Sequence, residues 1–168
     1  MRINITKEAY IAKTENQITR REELVKFYKE VYLPTLKKFD GKVYNKRFIS
    51  ALRNEATELM YIREKESEHI AIELRSSKYA YNDYESIYCM IKLNDEGRID
   101  YEATVNDVIG RKWIVNHEEY TEELRNSILH YDEYIEICDK LRAAIDNYKN
   151  IPHNLRETIH FFGSHYVK

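Results

Sequence analysis

Histidine and cysteine, the side chains that most often bind metals or act as nucleophiles, are few and scattered in this chain. Three of the six histidines, His153, His160 and His165, could converge on a metal ion, but their spacing matches no common zinc motif. Cys89 and Cys138 each lie in an apolar pattern, which favours two buried, reduced thiols over a disulfide or a catalytic nucleophile. We therefore predict neither a metal site nor a cofactor.

Other patterns that would indicate catalysis are also missing from the sequence. The four glycines stand alone, so no glycine-rich loop could bind a phosphate group. No pair of carboxylates stands by itself in an apolar segment, where burial could separate their pKa values for acid–base chemistry. The sequence therefore predicts a non-enzymatic protein, with an enzyme of unrecognised type as one alternative.

Charge is divided unevenly along the chain. Residues 1–63 contain 14 Lys and Arg against 8 Asp and Glu, whereas residues 64–168 contain 13 against 21. The net charge of −2 is therefore the sum of a basic N-terminal part and an acidic C-terminal part. A chain of this kind is expected to present charged surfaces to a partner, provided that folding keeps the two signs apart.

Acidic residues concentrate between residues 94 and 148, where 14 Asp and Glu stand against 6 Lys and Arg. Several lie one helical turn apart, and each like-charged pair at that spacing costs about 0.2–0.5 kcal/mol. Binding a basic partner, or resembling a phosphate backbone, would offset this repulsion; an ordinary solvated helix face is the alternative. The candidate partner-binding residues are Glu118, Glu119, Glu122, Glu123, Asp132, Glu136 and Asp139.

Tyrosine is frequent in this chain, with 15 residues, and three of them fall in one predicted loop. Tyrosine is enriched at protein interfaces because its ring offers a large contact area at a small entropic cost. Tyr79, Tyr81 and Tyr84 are therefore the aromatic candidates for partner binding. Alternatively, the same rings could cover the edge of a sheet.

A second candidate surface is basic. Ten Lys and Arg lie between Ile18 and Arg53, against four acidic residues. Such clusters neutralise phosphates and release counterions, so direct nucleic-acid binding is the alternative function. A solvated pair of helices is the simpler interpretation. The residues that would contact nucleic acid are Arg20, Arg21, Lys37, Lys38, Lys42, Lys46 and Arg47.

The N-terminal third is predicted to form a helical hairpin. A first helix is expected to begin at Thr19, which opens a capping-box spacing, and to kink or break near Pro34. Gly41 should end this helix in a left-handed conformation. A second helix is expected over residues 44–60, with Asn45 as its cap.

The hydrophobic period then changes from helical spacing to two. Alternating apolar residues predict three antiparallel strands with one buried face, over 70–74, 87–93 and 99–103. Helical spacing returns at Asn116, again with the capping-box pattern, and predicts a long amphipathic helix that ends near Asn150. Its apolar stripe should pack on the protein's own sheet and helices or, alternatively, on a second copy of the chain.

The order of these elements predicts an α+β fold. It comprises an N-terminal helical hairpin, a three-stranded antiparallel meander, a long C-terminal amphipathic helix and a short terminal helix over 153–162. A chain of 168 residues suits one domain, with a basic helical part (1–63), a sheet (64–104) and an acidic helical part (105–168). No apolar run has the length of a signal peptide or membrane span, so a cytoplasmic protein is expected.

Composition adds a hypothesis about origin and function. Ile, Lys, Asn and Tyr, whose codons are AT-rich, account for 61 of the 168 residues. We therefore hypothesise an interaction protein of a low-GC bacterium, phage or mobile element, which binds a nucleic-acid-handling protein or nucleoprotein through its acidic helix and tyrosines. An anti-CRISPR-like inhibitor of a host nuclease, acting as a nucleic-acid mimic, is the concrete version. Both a monomer and a homodimer are compatible with the sequence.

Overall fold

The computed structural model describes residues 6–65, 70–76 and 85–147. Its α+β fold confirms the predicted class. The elements are α1 (Lys7–Phe27), α2 (Leu33–Lys38), α3 (Lys46–Asn54), β1 (Tyr61–Lys65), β2 (Ala71–Arg75), β3 (Ser86–Met90), α4 (Tyr101–Asn106), α5 (Val108–Leu129) and α6 (Tyr131–Asn147). The chain divides into two compact units, residues 1–128 and residues 129–168, and α6 belongs to the second. The single domain stays a prediction.

Helix α1 begins at Lys7, well before the predicted start at Thr19. The hydroxyl of Thr6 accepts a hydrogen bond from an amide of the first turn (3.2 Å) and caps the helix. Thr19 lies inside the helix, where its hydroxyl donates to the carbonyl of Glu15. The predicted start is wrong because the packed face of the helix, which includes the buried Ile18, continues upstream of Thr19.

The irregularity predicted at Pro34 takes the form of a π-helical segment, Tyr28–Tyr32, which joins α1 to α2. The amide of Leu33 donates to the carbonyl of Tyr28, one residue farther back than in an α-helix. Pro34 has no amide hydrogen, and its ring crowds the preceding turn, so a wider turn accommodates it without ending the helix.

Helices α2 and α3 form the predicted hairpin. Gly41 lies in the turn between them with a φ of 72°, the left-handed conformation expected of it. Asn45 caps α3 by accepting a 2.9 Å hydrogen bond from an amide of the first turn. The fully buried ring of Phe48 packs edge-on against Phe39, with ring centroids 5.5 Å apart. These aromatic contacts fix the hairpin on the core.

The sheet is an antiparallel meander in the order β1-β2-β3, but its strands differ from those predicted. Helix α3 ends at Asn54 rather than near residue 60, and the unpredicted β1 follows as an edge strand. β1 was not predicted because its sequence lacks an alternating apolar pattern. Only Ile62 among its residues is buried. The predicted strand over 99–103 is wrong, since Asp100 accepts a hydrogen bond from the Ala103 amide and caps α4 instead.

Strand β2 is buried on both faces, whereas the sequence predicts one buried face. Glu73, on the face opposite the apolar core, is fully enclosed and accepts hydrogen bonds from Arg75 (2.8 Å) and Tyr88 (3.0 Å). Burial alone raises the pKa of Glu73, but these hydrogen bonds and nearby positive charges lower it below its ordinary value. The ring of Trp113, in α5, packs edge-on against Tyr88 with centroids 5.2 Å apart.

The long C-terminal helix consists of two helices separated at His130. Helix α5 begins upstream of the predicted cap Asn116, because Trp113 and Ile114 pack against the core and extend the helix. No residue of α6 is buried among the described parts of the chain. The short helix expected over 153–162 lies outside the described residues. None of the helices described is long and apolar enough to cross a membrane.

Candidate partner-binding site

A cleft beside α5 collects several of the candidate residues. Its volume is about 500 Å³, within the range of sites that bind small molecules or short peptide segments. Helix α5 contributes side chains three or four positions apart, which therefore lie on one face of the helix. These residues are Trp113, Asn116, Glu119, Tyr120 and Glu123.

The opposite wall of the cleft holds a nearly buried ion pair. The guanidinium of Arg21, on α1, lies 2.6 Å from the carboxylate of Glu85, which precedes β3. Their side chains are 12% and 13% exposed. The side-chain amide of Gln17 donates a further 2.8 Å hydrogen bond to Glu85. Burial lowers the pKa of Arg21, and the charge of Glu85 opposes this effect. Because neither charge is stable in this buried position alone, the ion pair holds α1 against the start of β3.

His117 joins this ion pair to α5. The carbonyl of Ser86 can only accept, so Nε2–H of His117 donates to it (2.8 Å) and Nδ1 accepts from Arg21 (3.0 Å). This arrangement requires a neutral imidazole. Burial, reinforced by the charge of Arg21, lowers the pKa of His117 below the ordinary 6.5. With both ring nitrogens bonded within the protein, His117 serves as a structural connector; the sequence gives no sign of this role.

Aromatic side chains complete the cleft. The ring of Tyr120 lies over the guanidinium of Arg21, with the ring centroid 4.0 Å from the central carbon, and the tyrosine remains 40% exposed. Trp113 is partly buried at the other end of the same helix face. The cleft therefore combines a rigid charged wall with an aromatic and acidic rim.

Folding separates the four candidate glutamates of α5 into two pairs. Glu118 and Glu122 are neutralised by neighbouring cations, whereas Glu119 and Glu123 line the cleft and form no ion pair among the described residues. The ion pairs are Glu118–Lys29 (2.5 Å) and Glu122–Arg125 (3.2 Å). All four lie inside α5, which begins at Val108, rather than in the first turns of a helix that begins at Asn116.

The remaining acidic candidates, Asp132, Glu136 and Asp139, lie on α6 in the second compact unit. Glu136 pairs with Lys140 at 2.6 Å, and Asp139 pairs with Arg142 at 3.1 Å. The seven acidic candidates are therefore divided between the two units.

The tyrosine candidates Tyr79, Tyr81 and Tyr84 lie outside the described residues. The connection that contains them leaves β2 at Ser76 and returns at Glu85, where the two backbones are joined by a 2.8 Å hydrogen bond. Because Glu85 also lines the cleft, this connection ends beside the acidic face of α5.

The basic candidates are divided as well. Arg20 and Arg21 lie on α1, and Arg21 belongs to the cleft. Lys37 approaches Asp40 at 3.8 Å. The other four, which we call the basic turn, lie between the end of α2 and the first turn of α3, and no ion pair is found for them within the described ranges. They are Lys38, Lys42, Lys46 and Arg47.

The two cysteines differ in their surroundings, although the sequence predicts that both are buried. Cys89 is buried in the core, and this burial raises the pKa of its thiol, so Cys89 is not activated as a nucleophile. Cys138, on α6, is exposed. His153, His160 and His165 lie outside the described residues. Among the residues that the structure does describe, no cluster of three metal-binding side chains is found.

The ion pair in the cleft wall yields a stability prediction. Arg21→Met leaves the carboxylate of Glu85 largely buried without its cation, so we expect the free energy of unfolding to fall by about 2–4 kcal/mol. Arg21→Met combined with Glu85→Met removes both charges and should recover at least half of that loss. Urea denaturation of Arg21→Met, Glu85→Met and the double variant measures these values, and simple additivity of the two substitutions would contradict the coupling.

His117 yields a prediction about pH. The pKa of His117 is lower in the folded protein than in the unfolded chain. Its contribution to the free energy of unfolding is therefore complete above the unfolded pKa and is lost as the pH falls from the unfolded pKa towards the folded one. The free energy of unfolding should therefore decline as the pH drops below 6.5, the ordinary pKa of histidine. His117→Gln, which can donate to Ser86 and accept from Arg21 without titrating, should flatten this decline. His130→Gln, at an exposed histidine, is the matched control in urea titrations at several pH values.

Comparison with known proteins supplies no further guide to the site. No family model matches the chain, and no curated protein or solved structure is significantly similar to it. Function is therefore inferred from the residues themselves. The distinguishing feature of the cleft is the pair Glu119 and Glu123. These two carboxylates lie beside two aromatic side chains and, in the part of the chain that the structure describes, form no ion pair.

Proposed function

We propose that the protein is a non-enzymatic interaction protein, which binds a basic segment of a nucleic-acid-handling partner at the cleft beside α5. The supporting observation is the difference between two pairs of glutamates on one helix. Glu118 and Glu122 have neighbouring cations, whereas Glu119 and Glu123 face the cleft and form no ion pair with the described residues, since Arg21 of the cleft wall is paired with Glu85. Two such carboxylates one helical turn apart suit the guanidinium and ammonium groups of a basic segment.

The surroundings of these carboxylates favour the same kind of ligand. Arginine side chains stack on aromatic rings as well as pairing with carboxylates, and Trp113 and Tyr120 lie on the same helix face. The bonds from His117 hold this face against α1 and β3 before any ligand arrives. A site organised in advance loses less conformational entropy on binding.

An inhibitor is the form of this function that the chemistry suits best. Basic segments of nucleases contact the phosphate backbone of their substrate, and an acidic helix that occupies them excludes that substrate. We therefore propose an anti-CRISPR-like inhibitor of a host nuclease, encoded by a low-GC bacterium, phage or mobile element. The segment that contains Tyr79, Tyr81 and Tyr84 would add aromatic contacts, because the chain re-enters the described structure beside the cleft at Glu85.

Competition with DNA tests this proposal. The chain is titrated into guide-loaded CRISPR nucleases from low-GC bacteria, and binding of fluorescent target DNA is followed by anisotropy. We expect the chain to abolish DNA binding by at least one nuclease. Glu119→Gln with Glu123→Gln should weaken inhibition by about tenfold or more, because the amides no longer attract the cations of the nuclease.

The matched control removes the same charge from the same helix. Glu118→Gln with Glu122→Gln alters the neutralised pair and should change inhibition by less than about twofold. Failure of the wild-type chain to affect DNA binding by any nuclease tested would contradict the inhibitor. Equal effects of the two double variants would contradict the acidic cleft as its site.

A second candidate function, direct binding of nucleic acid, is favoured by the basic turn. Among the described residues, no ion pair is found for its four cations, whereas other lysines have one, such as Lys26 with Glu30. Lys46 and Arg47 also lie in the first turn of α3, where the helix dipole is unfavourable to positive charge unless an anion binds nearby.

Salt dependence of binding tests this second candidate. Anisotropy of labelled duplex DNA and single-stranded RNA should show affinity that falls steeply between about 50 and 200 mM salt. Lys46→Gln with Arg47→Gln should lower the slope of log K against log salt by about one for each phosphate that the variant no longer neutralises. Lys26→Gln with Lys29→Gln, at two lysines that have acidic neighbours, should leave the slope unchanged. Absence of binding at low salt would exclude this function.

A further inference from the structure

His117 is a titratable side chain that lies inside the protein, at a point where three parts of the fold meet. It is 6% exposed and lines the inner part of the cleft beside α5. Nδ1 is 3.0 Å from the guanidinium of Arg21 on α1, and Nε2 is 2.8 Å from the carbonyl of Ser86 at the start of β3. A change in the charge of this ring therefore acts on both of the elements against which α5 is held.

Two charged groups from neighbouring elements face the imidazole, and their signs are opposite. Arg21 approaches from α1, and Glu85 approaches from the segment before β3. These two groups form an ion pair at 2.6 Å, so the carboxylate already neutralises one cation. On α5 itself, Tyr120 contacts the same guanidinium with its ring. Among the described residues, the charges around His117 are thus balanced while the imidazole is neutral.

A proton on Nδ1 of His117 removes this balance. It converts the acceptor of the 3.0 Å hydrogen bond into a donor that points at the N–H groups of Arg21. Two cations then lie in contact beside the single carboxylate of Glu85, in a position that is largely shielded from water. An arrangement in which the imidazolium turns out into water avoids this contact.

We propose that His117 is a pH-dependent switch for the cleft, which holds α5 against α1 and β3 when it is neutral and releases this contact when it is protonated. The hydrophobic core contains no histidine among the described residues. We therefore expect a local opening at the cleft, while the sheet and the helical hairpin stay folded.

The direction of the pH dependence follows from a comparison of the two arrangements. In the closed arrangement, burial and the charge of Arg21 lower the pKa of His117 below its ordinary value, whereas the hydrated ring of the open arrangement keeps the ordinary 6.5. The open arrangement therefore binds the proton more tightly. Its population relative to the closed one should rise by up to about tenfold for each pH unit below 6.5, until the closed arrangement is protonated as well.

For a basic segment bound in the cleft, this switch provides a means of release; this part of the inference rests on the proposed function. Glu119 and Glu123 offer their carboxylates to such a segment on the same helix that carries His117. A protonated His117 adds a positive charge that repels the cations of the ligand. Opening also removes the prior organisation of the site. We expect a partner to be bound near neutral pH and released in acidic surroundings.

The fluorescence of Trp113 tests the switch on the chain alone. Trp113 is the single tryptophan of the sequence, lines the cleft and lies one helical turn before His117. Quenching by acrylamide should increase as the pH falls from about 8 to about 5, while far-UV circular dichroism stays constant. His117→Gln, which can bond to Ser86 and Arg21 without titrating, should make the quenching independent of pH. His130→Gln, at an exposed histidine, is the matched control and should behave as the wild type.

Three results would overturn the switch. They are quenching that does not change with pH, an equal change in His117→Gln, and a loss of circular dichroism that accompanies the quenching and shows unfolding instead of local opening. NMR of the imidazole nitrogens makes the same test in the wild-type chain, so it does not depend on folding of the variant. Protonation of His117 and quenching of Trp113 should share one midpoint, and separate midpoints would contradict the proposal.

Calorimetric titration with a hexa-arginine peptide tests release. Arginine stays charged throughout this pH range, so the peptide itself contributes no pH dependence. Its dissociation constant should rise about threefold or more between about pH 7.5 and about pH 5.5 in the wild type, and less in His117→Gln. Equal pH dependence in both chains would overturn release by His117. Absence of binding at every pH would instead contradict the basic ligand of the proposed function, and the quenching of Trp113 would still decide the switch.

Discussion

The guanidinium of Arg21 contacts three side chains at once: the carboxylate of Glu85, the imidazole of His117 and the ring of Tyr120. Two charges removed from water are stable only as a pair, so the elements that carry them must stay together. His117 extends this constraint to β3 through its bond to Ser86. A polar network of Glu85, Arg21 and His117 therefore holds together the elements that form the cleft beside α5.

Part of the uneven charge of the sequence is paired inside the fold. Lys29 of the basic N-terminal part pairs with Glu118 of the acidic C-terminal part, and a second contact joins Glu22 to Arg125. Both contacts join α5 to the N-terminal helical segment, with Glu22 on α1 and Lys29 on the π-helical segment that follows it. Among the described residues, the acidic rim of the cleft and the basic turn carry charges for which no ion pair is found.

Local chemistry predicted the features that depend on a single residue. Gly41 adopts its left-handed conformation, Asn45 caps its helix, and Pro34 widens the preceding turn because these effects act within a few residues. The predicted starts at Thr19 and Asn116 failed for a different reason. A capping-box spacing arises readily in a sequence rich in glutamate, and only packing upstream shows that the helix has already begun.

The sequence by itself determined the fold class, the periodic apolar positions that build the core and the total charge of each region. Only the tertiary structure decided which charges have partners. Glu118 and Glu119 are adjacent and chemically identical, yet one meets Lys29 and the other faces the cleft. Successive residues of a helix project about 100° apart, so their surroundings are set by distant segments. The distances from a residue to those segments cannot be read from the local sequence pattern.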